Sequence, residues 1–270
     1  MNELARTYLQ NIHLPEPSSH KGQNGKVLAI GGSELFHAAS KWSLDVVSKF
    51  VDMVFYASVP SNNALIQAAK GEFWNGIVIR REDIEGYADE ADCILIGPGM
   101  ERNEESRNMV NSLLQKYTEK KMVIDAGALQ MVDPHLLTPF CIVTPHQGEW
   151  ERLVGKKETA SPSSSLFQIA RPVVVVKGKQ DIVFFKESMV VVDGGNAGMT
   201  KGGTGDVLAG LIAALYSTHD AMTAAVVGSY INKKAGDALY ESVGPYFNAS
   251  DLVEEIPRTM WRELQTVTTK

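Results

Sequence analysis

Short apolar runs rich in Val and Ile recur along this chain, at Val27 to Ile30, Met53 to Ala57, Ile77 to Ile79, Cys93 to Ile96, Met122 to Ile124, Cys141 to Val143 and Val173 to Val176. Continuous apolar character without polar alternation marks strands that need cover on both faces. Between them lie patterns of helical period: Val110, Leu113, Leu114 and Tyr117 at i, i+3, i+4 and i+7, and Trp42, Val46 and Phe50 at i, i+4 and i+8. Strand and helix in turn predict an α/β fold with a mostly parallel central sheet covered by helices on both faces.

After Lys177 the pattern changes. Ile182 to Phe185 and Met189 to Val192 flank Lys186, Glu187 and Ser188, as in an antiparallel hairpin. A long apolar helix is expected from about Asp206, another from Met222 to Tyr240, and a third from Asp251 onward, where Asp251 and Glu254 have capping-box spacing. Val226, Val227, Tyr230 and Ile231 suit a core or an interface equally. Thr159 to Ser165 has the composition of a surface loop, and no break or internal repeat divides the chain. Residues 1–270 are expected to form a single domain.

With 270 residues, 44% of them hydrophobic, the chain can bury a core without disulfides or metals. Its two cysteines, Cys93 and Cys141, sit inside apolar runs, which supports neither a zinc site nor a disulfide framework and fits a reducing cytoplasm. The N-terminus MNELARTYLQ lacks a signal core, and Val207 to Tyr216 falls short of the roughly 20 residues that span a bilayer. No membrane association is expected. The formal net charge of -6 argues against nucleic acid, so any anion must be bound locally.

The most informative segment is NAGMTKGGTGDVLAG, Asn196 to Gly210, which leads from the hairpin through a glycine-rich loop into a helix. Its glycines let backbone N–H groups converge, and a helix N-terminus adds positive potential, so Gly202, Gly203, Thr204 and Gly205 form a candidate anion hole for a phosphoryl group. Neither a Walker loop nor a GxGxxG turn is present. Asp206, in the first helical turn, is the candidate catalytic base: held ionised by the helix end, it could take a proton from an attacking hydroxyl while the amides stabilise the phosphoryl oxygens.

HKGQNGKVLAIGGS at 20 to 33, IGPGM at 96 to 100, VIDAGAL at 123 to 129, TPHQGEW at 144 to 150, VVKGK at 175 to 179 and NAGMTKGGTGD at 196 to 206 occur in this order. On these motifs the chain resembles the ADP/ATP-dependent NAD(P)H-hydrate dehydratases, a branch of the ribokinase-like superfamily. The resemblance implies a ribokinase-like three-layer sandwich and a lyase of metabolite repair. Such an enzyme phosphorylates the C6 hydroxyl of hydrated NADH or NADPH with ADP or ATP, then eliminates phosphate to restore the ring.

The resemblance also implies site residues. Asp206 would activate the C6 hydroxyl. Lys177, Gly178, Lys179, Gln180, Asp181 and Gly205 match nucleotide-contacting positions, although Asp181 replaces the usual threonine. Ala39, Gly99, His146 and Asp206 match substrate-contacting positions. Asp125, Glu149 and Asn196 are second-rank candidates, and Glu149 could orient a metal or a water. Two departures stand out: Phe36 to Ser40 lacks the usual Pro-Gly pair, and the segment between Leu153 and Pro172 is shorter than in the family, leaving little room for one helix.

Mg2+ is expected because phosphoryl transfer needs charge neutralisation, but no ligand cluster marks its site. The implied partners are the hydrated dinucleotide, other copies of the chain in a homo-oligomer such as a tetramer, and a separately encoded NAD(P)H-hydrate epimerase. Only about 20 residues precede the first motif, too few for a fused epimerase domain. Two alternatives remain: a small-molecule (vitamin-precursor) kinase of the same superfamily, which would leave phosphate on its product, and a non-catalytic nucleotide-binding module, which would have no use for Asp206.

Overall fold

The computed structural model describes residues 3–68, 75–154 and 172–268. Strands form at the apolar runs: β1 (Lys26–Ile30), β2 (Met53–Ala57), β3 (Ile77–Val78), β4 (Cys93–Ile96), β5 (Lys121–Ile124), β6 (Cys141–Val143) and β7 (Val173–Val176). These seven pair in parallel in the order β3-β2-β1-β4-β5-β6-β7. The hairpin of β8 (Asp181–Phe185) and β9 (Ser188–Val192) continues the same sheet antiparallel, giving nine strands. One run departs from expectation: β3 is an edge strand of two residues with Ile77 exposed, because only β2 pairs with it.

The helices of the described residues are α1 (Glu3–Thr7), α2 (His37–Val47), α3 (Pro60–Ala68), α4 (Ile84–Glu90), α5 (Glu104–Lys116), α6 (Ala126–Leu129), α7 (Gln147–Val154), α8 (Thr204–Thr218), α9 (Ala221–Val243) and α10 (Ala249–Thr268). Side-chain alternation along the strands sorts them into two cores. Val27, Ala29, Cys93, Leu95 and Val123 face α2, α8, α9 and α10, whereas Leu28, Ile30, Ile94, Ile96 and Met122 face α4, α5 and α7. The result is a three-layer sandwich. No helix of the described residues is long and apolar enough to cross a membrane.

Helix α8 is the spine of the first core. Every residue from Val207 to Ser217 is buried, as an all-round apolar helix requires. It lies against α2, α9 and the central strands β1, β4 and β5. Its C-terminal carbonyls are met by Lys121, whose Nζ donates to Tyr216 at 2.9 Å and to His219 at 3.0 Å.

Two local expectations need correction, and one open choice is resolved. The α10 capping box starts at Asn248: its Oδ1 accepts from the Asp251 amide at 3.3 Å, and Asp251 Oδ2 accepts from the Asn248 amide at 2.8 Å. Glu254 instead reaches Lys49 Nζ at 2.8 Å. Helix α2 stops at Val47, so Phe50 packs from the following turn and the buried helical face is Ser43, Leu44, Val46 and Val47. Val226, Val227, Tyr230 and Ile231 belong to the core, being buried under α8 and α10. The loop at Thr159 to Ser165 and the shortened segment before Pro172 lie outside the described residues.

The fit of α8 against α2 turns on Gly210, where a Cβ would stand 2.6 Å from Val46 Cγ1 and 2.7 Å from the Ser43 carbonyl oxygen. Relief requires the two helices to separate, so Gly210→Ala is expected to destabilise the protein by about 1–3 kcal/mol despite its better helix propensity. Urea denaturation checks this; an unchanged midpoint would show that the contact tolerates a methyl group.

Candidate active site

The loop entering α8 is built to leave its backbone amides free. Gly203 has φ +99°, and a Cβ there would stand 2.4 Å from the Trp42 ring, so glycine is required by both conformation and space. The loop's polar side chains turn inward. Thr204 Oγ1 donates to the carbonyls of Met199 at 2.8 Å and Lys201 at 3.1 Å, and the Lys201 ammonium bonds the carbonyls of Pro245 and Phe247. Asn196 Oδ1 accepts from the Gly198 amide at 3.0 Å while its Nδ2 donates to the Gly236 carbonyl at 2.9 Å. Asn196 and the Thr204 hydroxyl are therefore scaffold groups. No side chain caps α8, and a Cβ on Gly202 would meet nothing within 4 Å. The first-turn amides and an open approach make a ready anion site.

Asp206 stands in that first turn, with its carbonyl oxygen accepting from Ser43 Oγ at 2.8 Å. Its carboxyl is half-buried, and its pKa is pushed up to about 7 by desolvation first and by the nearby Asp125 carboxylate second. Lys177 and the residue's own amide oppose the shift without cancelling it. The expectation that the helix end keeps Asp206 firmly ionised is thus overturned: burial and like charge outweigh the helix terminus. Asp125, 1% exposed, accepts from Thr144 Oγ1 at 2.7 Å and pairs with Lys177 Nζ at 2.8 Å. The same ammonium lies 3.4 Å from where a Gly205 Cβ would sit. Desolvation weighs against the Lys177 charge, but Asp125, with smaller help from Glu149 and Asp206, holds its pKa above the usual lysine value. Lys177 is consequently a charged group inside the site and not a solvated strand end.

On the side facing α7, His146 and Glu149 form a capping box. His146 Nδ1 accepts from the Gly148 amide at 3.0 Å, and Glu149 Oε2 accepts from the His146 amide at 3.0 Å. With Nδ1 accepting, Nε2 carries the ring proton, 3.6 Å from Glu149 Oε2, and Glu149 has a structural task. Gly99 comes against the Phe36 carbonyl and Ala39, so these two candidates meet although 60 positions apart in sequence. The helix entry at Phe36 forms without Pro-Gly because Ser33 Oγ accepts from the Phe36 amide at 3.0 Å. Ala126, directly after Asp125, has φ +45°, an uncommon conformation for a residue with a Cβ.

The opposite side is a cavity of about 580 Å3 lined by Lys177, Gly178, Lys179, Asp181, Gly195 and Gly205 among others. Asp181 contributes no free carboxylate to it. One oxygen accepts from the Gly178 amide at 3.0 Å and lies 3.2 Å from Lys233 Nζ, and the other accepts from Ser229 Oγ at 2.6 Å. Lys233 in turn donates to the carbonyls of Gly178 at 3.0 Å and Lys179 at 3.2 Å. This buried pair fixes the turn after β7, and the Gln180 amide ties it to Asp193. Sequence reasoning missed Lys233 and its neighbour Asn232, whose Oδ1 is buried at this cavity and has no partner among the described residues. The available signal was polar residues in an otherwise apolar helical stretch. Among the described residues no group of three His, Cys, Asp or Glu side chains could hold a metal ion alone.

The model of the NAD(P)H-hydrate dehydratase family matches residues 27–258. The chain is 35% identical over 261 residues to the bifunctional NAD(P)H-hydrate repair enzyme of Methanocaldococcus jannaschii, with 93% of this chain and 51% of that protein covered. It thus spans about half the length of such relatives. It is 31% identical over 261 residues to the ADP-dependent (S)-NAD(P)H-hydrate dehydratase of Cenarchaeum symbiosum, with 90% of each covered. In structure it is similar to a ribokinase-like superfamily protein of Enterococcus faecalis at a TM-score of 0.83 and 23% identity, covering 96% and 94% of the two chains. That likeness establishes the ribokinase-like fold.

Two outcomes follow from the charges. A carboxyl whose pKa rises on folding weakens the fold once it ionises, so Asp206→Asn is expected to raise Tm at pH 8, with the gain shrinking as pH falls through about 7 toward 5. A Tm difference independent of pH would contradict the shift. Lys233→Met leaves Asp181 buried without its cation and is expected to cost about 3–5 kcal/mol, measured by urea denaturation.

Proposed function

Because the chain belongs to the NAD(P)H-hydrate dehydratase family, we propose that it restores C6-hydrated NADH or NADPH to the reduced cofactor at the expense of ADP or ATP. The observation that carries this proposal is a carboxyl of pKa about 7 at the end of an amide-lined loop, beside a half-buried lysine ammonium. Hydroxide is a poor leaving group, and this arrangement suits its conversion to a better one. The Asp206 carboxylate takes the proton of the C6 hydroxyl as its oxygen attacks the terminal phosphorus of the donor. The bond from that phosphorus to the bridging oxygen breaks, and AMP or ADP departs with the electron pair. Amides of the loop from Gly202 to Gly205, together with Lys177, meet charge on the phosphoryl oxygens.

The C6–O bond of the phosphate ester then breaks, phosphate departing with the electron pair with assistance from the ring nitrogen, and water takes the C5 proton as the C5–C6 double bond closes. Ala39, Gly99 and His146 are assigned to the hydrated nicotinamide, with His146 Nε2 as donor. Lys177 to Asp181 are assigned to the nucleotide, Asp181 acting through the turn that it braces. Mg2+ riding on the donor phosphates would neutralise their charge. It needs only one or two protein ligands. The bifunctional relatives motivate an epimerase as functional companion.

Incubation of the protein with hydrated NADH and either ADP or ATP is expected to regenerate the reduced-nicotinamide absorbance; no recovery with either donor would refute the assignment. Activity needs ionised Asp206, so kcat/KM for the hydrate should rise with pH and inflect near 7. Asp206→Asn should retain ADP binding by calorimetry while losing at least about 10²-fold in turnover, the lower end expected for a missing general base.

A further inference from the structure

A second cavity, of about 770 Å3, lies on the α5 and α7 side of the sheet. Three guanidinium groups from separate segments line it: Arg102 from the loop after β4, Arg107 from α5 and Arg152 from α7. Arg102 and Arg152 are joined through Gln130, whose Oε1 accepts from the former at 2.8 Å and from the latter at 3.1 Å. Arg152 also donates to the Gly148 carbonyl at 3.1 Å. Arg107 has no side-chain partner among the described residues. Glu104 and Glu149 line the same cavity, yet neither forms an ion pair with these arginines among the described residues, and Glu149 is committed to the His146 and Gln130 amides.

Three guanidiniums against two carboxylates, with no ion pair between them among the described residues, give this cavity a net positive lining in a chain of net charge -6. Each guanidinium has five N–H donors in a planar fork that matches phosphate oxygens, and the bonds described above use few of them. The cavity is also connected to the reaction centre. Gln130 Nε2 donates to Glu149 Oε1 at 3.1 Å, and Glu149 braces His146, so the arginines and the assigned nicotinamide contact share one hydrogen-bonded frame. Arg102 follows Gly99 by three positions in the chain.

We propose that Arg102, Arg107 and Arg152 form an anion subsite for a phosphate group of the dinucleotide substrate, separate from the loop that handles the transferred phosphoryl group. This rests on the dehydratase assignment, since the hydrated substrate carries a pyrophosphate bridge in both its forms and a 2′-phosphate in one. The subsite anchors the non-reacting arm while the ring reaches Asp206, so its binding energy orients the reacting hydroxyl.

The test is the double variant Arg102→Gln/Arg107→Gln, compared with Arg258→Gln on α10 as a remote loss of one charge. At saturating ADP, the KM for the hydrate should rise at least tenfold in the double variant and stay unchanged in the remote one, while the KM for ADP stays within about twofold. A rise for both hydrates locates the pyrophosphate in the cavity; a rise for the NADPH form alone locates the 2′-phosphate. Calorimetric titration with NADP+ runs in parallel and needs no turnover: the double variant should bind at least tenfold more weakly. Unchanged hydrate KM together with unchanged NADP+ affinity in a folded double variant overturns the subsite. A wild-type protein that never turns over, yet loses NADP+ affinity in the variant, upholds the subsite and removes the dehydratase assignment instead.

Discussion

An apolar helix that must be buried along its whole length can present its first, polar turn only where the surrounding layers end. In this fold α8 is enclosed by α2, α9 and the central strands, and its first turn lies beside the segments that leave the carboxyl ends of β5 and β7. Those segments bring Asp125 and Lys177 against Asp206. The location follows the general rule that open parallel sheets collect ligands outside their carboxyl edge. Here the rule has a specific cause: Gly203 lets the chain turn under the Trp42 ring, and Gly210 lets α8 seat on α2.

Burial that organises the site also sets its chemistry. Asp125 and Lys177 compensate each other at 2.8 Å, and Asp206 is left as the carboxyl without a full partner. Its raised pKa places it near the value at which a general base combines useful ionisation with useful basicity. A lysine bound only to Asp206 would have given a permanently ionised, weakly basic carboxylate. The inward commitments of Thr204, Lys201 and Asn196 serve the same end, since they hold the loop by side chains and leave its amides to face a ligand.

The architecture was legible because each apolar run needed a strand's environment: β2, β4, β6 and β7 begin and end where their Val/Ile runs do. What periodicity could not settle was cover at the edge, so the Ile77 run was indistinguishable from a buried strand although β3 has a single neighbour. The loop at Asn196 to Asp206 and the carboxylate at its end were visible from glycine spacing alone. Less visible was the balance of fields at Asp206, because the decisive charge, Asp125, is 81 positions distant in sequence. Asp181 showed the same limit. As a replaced threonine it looked like a lost ligand contact, whereas its meaning lies in Lys233, a cation one helix away that only the folded chain brings to it. The arginine cavity drew on three segments whose residues look like ordinary surface charge when taken singly.

The central claim is that the departing oxygen leaves on phosphorus. Substrate hydrated with 18O at C6 and turned over with unlabelled ADP tests it directly, with mass analysis of the inorganic phosphate released. The label should appear in phosphate, one atom per turnover. Label recovered in water, with phosphate carrying solvent oxygen, would mean that dehydration and nucleotide cleavage are separate events and that Asp206 does not act on the path described.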